Sequence, residues 1–131
     1  MDKFCKAAAD VLEVESVTPE THFREVEGWC SLMAFGLLVM MENDWKAPLT
    51  IEEFMKRSTI RDLMRDAMAS LAARILGMER SRVLDAQLGS TSEWDSVNHL
   101  RLVMEAEKLF GFHYPIERIP ELRTIDDFLT P

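Results

Sequence analysis

Two serines stand where a hydroxyl can react as well as pack. Ser96 follows Asp95, Ser31 follows Cys30, and each sits after a loop at the start of an apolar stretch. A hydroxyl at a helix start is exposed, and the unpaired amides and positive dipole end around it favour a phosphodiester. The plainer reading of the same residues is capping, because Ser and Asp oxygens accept from first-turn amides. Elsewhere the chain offers little chemistry. His22, His99 and His113 have no metal-ligand spacing, no nucleophile, base and acid form a set, and there is no Gly-rich phosphate loop. Neither an enzyme nor a metal site is expected.

The elements that position the serines come in two copies. Shifting the sequence by 65 residues pairs Trp29 with Trp94, Ser31 with Ser96, Glu42 with Glu107, Ile51 with Ile116, Thr59 with Thr124, Ile60 with Ile125 and Asp62 with Asp127, without a gap. Such a repeat predicts one fold used twice, with domains at 1–65 and 66–131. In the second copy, Met68, Leu71, Ala72 and Ile75 share one stripe of a helix over 67–76. A loop over 77–94 follows, then a helix over 96–110 capped by Asp95 or Ser96 and ended by Gly111, with Val97, Leu100, Val103, Met104 and Phe110 facing inward. A short piece at 116–119 precedes a last helix opened by Thr124 in a capping-box variant, and Ile116, Ile119, Ile125 and Phe128 join the core.

The first copy has the same order: a helix over 3–12, a loop over 13–29, a helix over 31–44, a short element at 51–55 and a helix from Thr59. Residues 59–77 contain no Gly or Pro before their end, which predicts one continuous helix joining the copies. The fold class expected is all-α, two four-helix bundles in tandem.

Bulk properties narrow the partners. The net charge is −8, with 8 basic and 12 acidic residues in 1–65 and 7 basic and 11 acidic in 66–131, so neither half is a basic module for nucleic acid. Two cysteines, Cys5 and Cys30, and the lack of an apolar leader point to a reducing, cytoplasmic setting. The apolar run 32–41 is too short to span a bilayer.

The ordered set Trp94-Asp95-Ser96-Val97, Val103-Met104, Glu107, Phe110-Gly111 and Thr124-Ile125-Asp126-Asp127-Phe128 resembles the acyl carrier protein family, across 67–131 and more weakly across 1–66. The resemblance implies four-helix bundles in which Ser96 receives a 4′-phosphopantetheine arm from coenzyme A, with Asp95 helping to place the Mg²⁺ used in loading. The arm's thiol would hold an acyl or aminoacyl group as a thioester, in fatty acid or secondary metabolite biosynthesis. Partners implied are a phosphopantetheinyl transferase and the enzymes that load and tailor the cargo.

The first copy departs from this pattern. Cys30 stands where Asp95 does, and a thiol is a poor ligand for Mg²⁺, so Ser31 is the weaker attachment site. The helix over 31–44 is apolar nearly all round, which predicts burial on more than one side or self-association through it. The second copy departs as well, with Asn98 and Arg101 where carriers often show acids. A dedicated partner is then expected. His99 reads as a solvated or partly packed helix residue, and Trp29 and Trp94 as loop residues packed on the bundle. The rival function is an unmodified helical scaffold for protein contacts.

Overall fold

The computed structural model describes residues 3–130, and these are helical throughout apart from loops and turns. Six α-helices, α1 (Lys3–Leu12), α2 (Ser31–Asn43), α3 (Ile51–Met55), α4 (Ile60–Leu76), α5 (Arg80–Asp85) and α6 (Ser96–Phe110), are joined by 3₁₀ turns at Phe23–Glu25, Ile116–Glu121 and Asp126–Leu129. The chain divides into two compact units, the first ending at Ala67 and the second beginning at Met68.

Helix ends follow the side chains available. At α3, Thr50 Oγ1 accepts from the amide of Glu53 at 3.1 Å while Glu53 Oε1 accepts from that of Thr50 at 2.9 Å, a reciprocal capping box. Gly111, with φ of 76°, ends α6 in the left-handed conformation that glycine takes without strain. With no Gly or Pro inside it, α4 runs unbroken past Arg65 and Ala67.

Local bonds recur at the 65-residue offset. Asp62 Oδ2 accepts from the amides of Ser58 at 2.7 Å and Thr59 at 3.0 Å, and Asp127 Oδ2 accepts from those of Arg123 and Thr124, both at 3.0 Å. The amides of Phe23 and Leu88 donate to the carbonyls of Ser58 and Arg123, again 65 apart at both ends. Burial opposes ionisation of Asp127, but the bonds from Arg123 and Thr124 outweigh it and hold the carboxyl below its usual range. The unfolded chain therefore binds this proton more tightly, so the contribution is present above the ordinary aspartate range and is lost as pH falls through the folded value. Asp127→Ala should cost about 1 kcal/mol at neutral pH, as for a lost cap. In urea unfolding at several pH values that difference should shrink toward acid; a constant difference would refute the linkage.

The first unit buries Phe4, Leu12, Phe23, Leu37, Met41 and Trp45. Gly36 is needed in α2, because a Cβ there would lie 2.9 Å from Val11 Cγ1 on α1. Asp66, almost fully buried, takes a bidentate pair from Arg57, at 2.6 Å from Nε and 2.9 Å from one terminal nitrogen. The second unit buries Trp94, Leu102, Val103, Phe110, Leu122 and Phe128. Burial pushes the Tyr114 phenol well above its ordinary range, and its hydroxyl donates to the carbonyl of Phe128.

Several expectations are overturned here. Val97, Leu100 and Met104 face solvent at 69%, 53% and 58% exposure, and Ile116 at 81%; the inward face of α6 is His99, Leu102, Val103, Ala106 and Phe110. That helix carries two apolar stripes, and periodicity alone does not say which one faces the core. On α2 the expected burial on more than one side is met on one face only within the first unit. Leu37, Met40 and Met41 are buried, whereas Leu32 and Phe35 are 76% and 64% exposed. The stretch expected as a loop over 77–94 contains α5, which buries Val83. In place of a last helix from Thr124 there is one 3₁₀ turn, Asp126–Leu129. His99, expected to be solvated or partly packed, is buried.

Candidate functional site

Ser96 is the first residue of α6 and is exposed. It is held there by the residue before it. Asp95 has extended backbone, and its Oδ1 accepts from the amide of Asn98 at 2.8 Å, satisfying one orphan donor of the first turn. Asn98 then ties the start of the helix to its loop, donating from Nδ2 to the carbonyl of Glu93 at 2.8 Å. Arg101, one turn on and exposed, donates to Asn98 Oδ1 at 3.3 Å. Asp95 thus caps, and the capping reading and the reactive reading describe the same residue without conflict. Both Asp95 and Ser96 line one cleft.

That cleft has a volume of about 500 Å³ and is walled by Leu88, Leu100, Ile119 and Pro120, with Trp94 and His99 also reaching it. Trp94 is fully buried. Its indole N–H donates to His99 Nδ1 at 3.1 Å, and His99 Nε2 lies 2.8 Å from the carbonyl of Ile119. His99 is therefore a buried link between α6, the preceding loop and the 3₁₀ turn at Ile116–Glu121. Sequence reasoning missed it. The signal was slight, a tryptophan five residues before a histidine, and the acceptor lies twenty residues further on.

Ser31 is placed alike and supported differently. It is the first residue of α2 and exposed, and Cys30 before it is exposed too, with extended backbone but no side-chain bond to the helix. The N-cap residue there makes no side-chain bond to the first turn, and the residue before the serine is a thiol and not a carboxylate. Trp29 is half-buried with its ring 5.7 Å from that of Phe23. Arg24, 65 residues before Gly89, lies over the rings of Phe23 and Phe54 at 4.8 Å and 5.1 Å and donates to the carbonyl of Phe54 at 2.8 Å.

Among the described residues no group of three His, Cys, Asp or Glu side chains is placed to hold a metal ion, and no helix is long and apolar enough to cross a membrane. Residues 2–65 match the family described as "Phosphopantetheine attachment site". The match falls on the first unit, whose helix-opening serine is Ser31, and not on the stretch that carries Asp95 and Ser96. No curated protein and no solved structure matches the chain.

Proposed function

We propose, from the match of residues 2–65 to the phosphopantetheine attachment family, that the whole chain is an acyl carrier-type protein with its principal arm on Ser96. Domains of this family carry a covalent 4′-phosphopantetheine and do no catalysis themselves, and they work with a phosphopantetheinyl transferase and biosynthetic enzymes. The finer assignment concerns which serine, which cargo and what the other unit does.

The observation that carries Ser96 is the Asp95 cap. It holds an exposed hydroxyl at the positive end of α6 with a carboxylate beside it. The helix end suits the phosphodiester, and the carboxylate suits a Mg²⁺ that also meets phosphate oxygens during loading. The bound arm would supply a thiol that holds an acyl or aminoacyl group as a thioester. On this reading the unit 66–131 carries cargo, and 1–65 is a structural or docking copy from the same duplication, in the cytoplasm. The exposed Leu32 and Phe35 of α2 give that copy an apolar surface for self-association.

A second reading places the arm on Ser31, favoured by the family match over 2–65 and by the exposure of Ser31 at a helix start. An unmodified interaction scaffold is the third. Incubation with coenzyme A, Mg²⁺ and a broad-specificity transferase, followed by intact mass, separates them. One added phosphopantetheine lost in Ser96→Ala supports the first, one lost in Ser31→Ala the second, and an unchanged mass the scaffold.

Arg101 sets a further expectation. A cation on an exposed face of α6 repels transferases that dock through Lys and Arg. Arg101→Glu should raise the loading rate by a general transferase severalfold at low salt, with the gain shrinking as salt screens it. An equal rate for both proteins across salt concentrations would refute the effect.

A further inference from the structure

Beside α2 the first unit has an opening that neither serine accounts for. A groove of about 430 Å³ lies between α1 and α2, lined by Val11 of α1 and by Leu32, Met33, Phe35, Gly36 and Val39 of α2. It is not the first unit's version of the cleft beside Ser96, since at the 65-residue offset only Cys30 with Asp95 and Phe35 with Leu100 line both. Gly36 shapes it. Without a Cβ there, α2 approaches α1 so closely that a side-chain carbon at this position would lie 2.9 Å from Val11 Cγ1. The second unit has Arg101 in place of Gly36, and Ile75 and Met78 where the first has Asp10 and Glu13. Those two carboxylates are exposed and also line the groove, and among the described residues no Lys, Arg or His does.

We propose that this groove docks an amphipathic helix of a partner protein, with an apolar stripe against Phe35 and Val39 and flanking Lys or Arg side chains at Asp10 and Glu13. The inference gives residues 1–65 a partner for their docking role, and it rests on that role and not on which serine bears the arm. About 430 Å³ is the size of a small-ligand pocket, so it takes a few apolar anchor side chains and not a whole domain. The walls are two helices whose backbone groups are spent on their own turns, so an occupant must pair its own amides, as a helix does and an extended segment does not. Carboxylates without a cation in the lining set the sign of the flanking charge. A second copy, the other occupant that Leu32 and Phe35 allow, would bring its own Asp10 and Glu13 and a net charge of −8 to the contact, so charge favours the cationic helix.

The test titrates the unloaded full chain with a synthetic peptide that carries Leu on one helical stripe and Lys beside it, and with a control that has Glu in place of each Lys. Amide shifts by NMR locate the contact. The rate at which iodoacetamide alkylates Cys30, exposed in the groove lining while Cys5 is buried, measures coverage. With the Lys peptide, shifts are expected at Val11, Met33, Gly36 and Val39, and alkylation of Cys30 should slow severalfold; the Glu peptide should do neither. The double variant Asp10→Lys, Glu13→Lys, both at exposed positions, should weaken the Lys peptide about tenfold at low salt and remove most of its salt dependence, whereas Phe35→Ser should weaken it at any salt. Shifts centred on Val97 and Leu100 of α6, equal binding of the two peptides, or no binding would overturn the inference. So would groove amides that shift with protein concentration alone, since a second copy then fills the site. Binding needs no arm, so a chain that binds the Lys peptide but gains no phosphopantetheine keeps the groove and loses only the carrier reading.

Discussion

Under conditions in which the wild-type chain gains one phosphopantetheine, Ser96→Ala is expected to gain none, Ser31→Ala to gain one as before, and Cys30→Asp to gain two. The serine oxygen is the atom that forms the bond, so its removal is all or none. The neighbouring carboxylate is graded. A metal's charge stabilisation of a phosphoryl transfer is worth several kcal/mol, and each ~1.4 kcal/mol is tenfold in rate, so loss of the group that places the metal should slow loading about 100-fold or more. Asp95→Asn is the clean variant, because Asn caps a helix as well as Asp does and keeps the oxygen that accepts from Asn98. A loading rate unchanged in Asp95→Asn would reduce Asp95 to a cap.

The Cys30 arm of the experiment matters most, because the family match lies on the first unit. Ser31 already has the exposure and the helix start; it lacks the carboxylate and the cap. Asp at position 30 would restore both. Two gains in the wild-type chain would show that the thiol is no barrier and that both units carry arms. One gain that survives Ser96→Ala and disappears in Ser31→Ala would move the carrier to the first unit and leave Asp95 as a helix cap alone.

What could be read in the sequence was whatever local chemistry decides. Ser96 to Phe110, bounded by a capping Asp95 and by Gly111, is the helix expected, and the Thr124 to Asp127 cap formed at both places where the repeat put it. Side-chain burial was not legible in the same way. On α6 the residues Val97, Leu100 and Met104 are as apolar as Leu102, Val103 and Ala106, and the choice between stripes is made by neighbours distant in sequence. The exposed large apolar residues recur at the repeat offset, Leu32 with Val97, Phe35 with Leu100 and Ile51 with Ile116. An outward apolar face is thus common to both units and is no packing error in either. His99 was misplaced for a related reason. A histidine is buried only when both nitrogens find partners, and one partner here is a backbone carbonyl that no residue type announces.

That dependence makes Trp94→Ala the substitution with the largest expected effect on stability. Trp94 is fully buried against Phe128, and its removal should cost about 3–5 kcal/mol from lost packing and the cavity left behind. His99 Nδ1 also loses its donor, which adds on the order of 1–3 kcal/mol for an unpaired buried acceptor, although the two are in contact and do not simply add. Against this, a unit of about 65 residues has a stability of roughly 3–10 kcal/mol. The second unit of Trp94→Ala should therefore be largely or marginally unfolded. Trp94→Phe keeps most of the ring packing and loses the indole donor, so about 1–3 kcal/mol is expected. Trp29→Ala, at a half-buried ring, should cost less than Trp94→Ala. Because two units need not unfold together, amide hydrogen exchange along α6 is the suitable measurement. Protection there should collapse in Trp94→Ala while α2 keeps its protection, and wild-type protection in α6 would show that the bundle does not depend on the Trp94 and His99 pair.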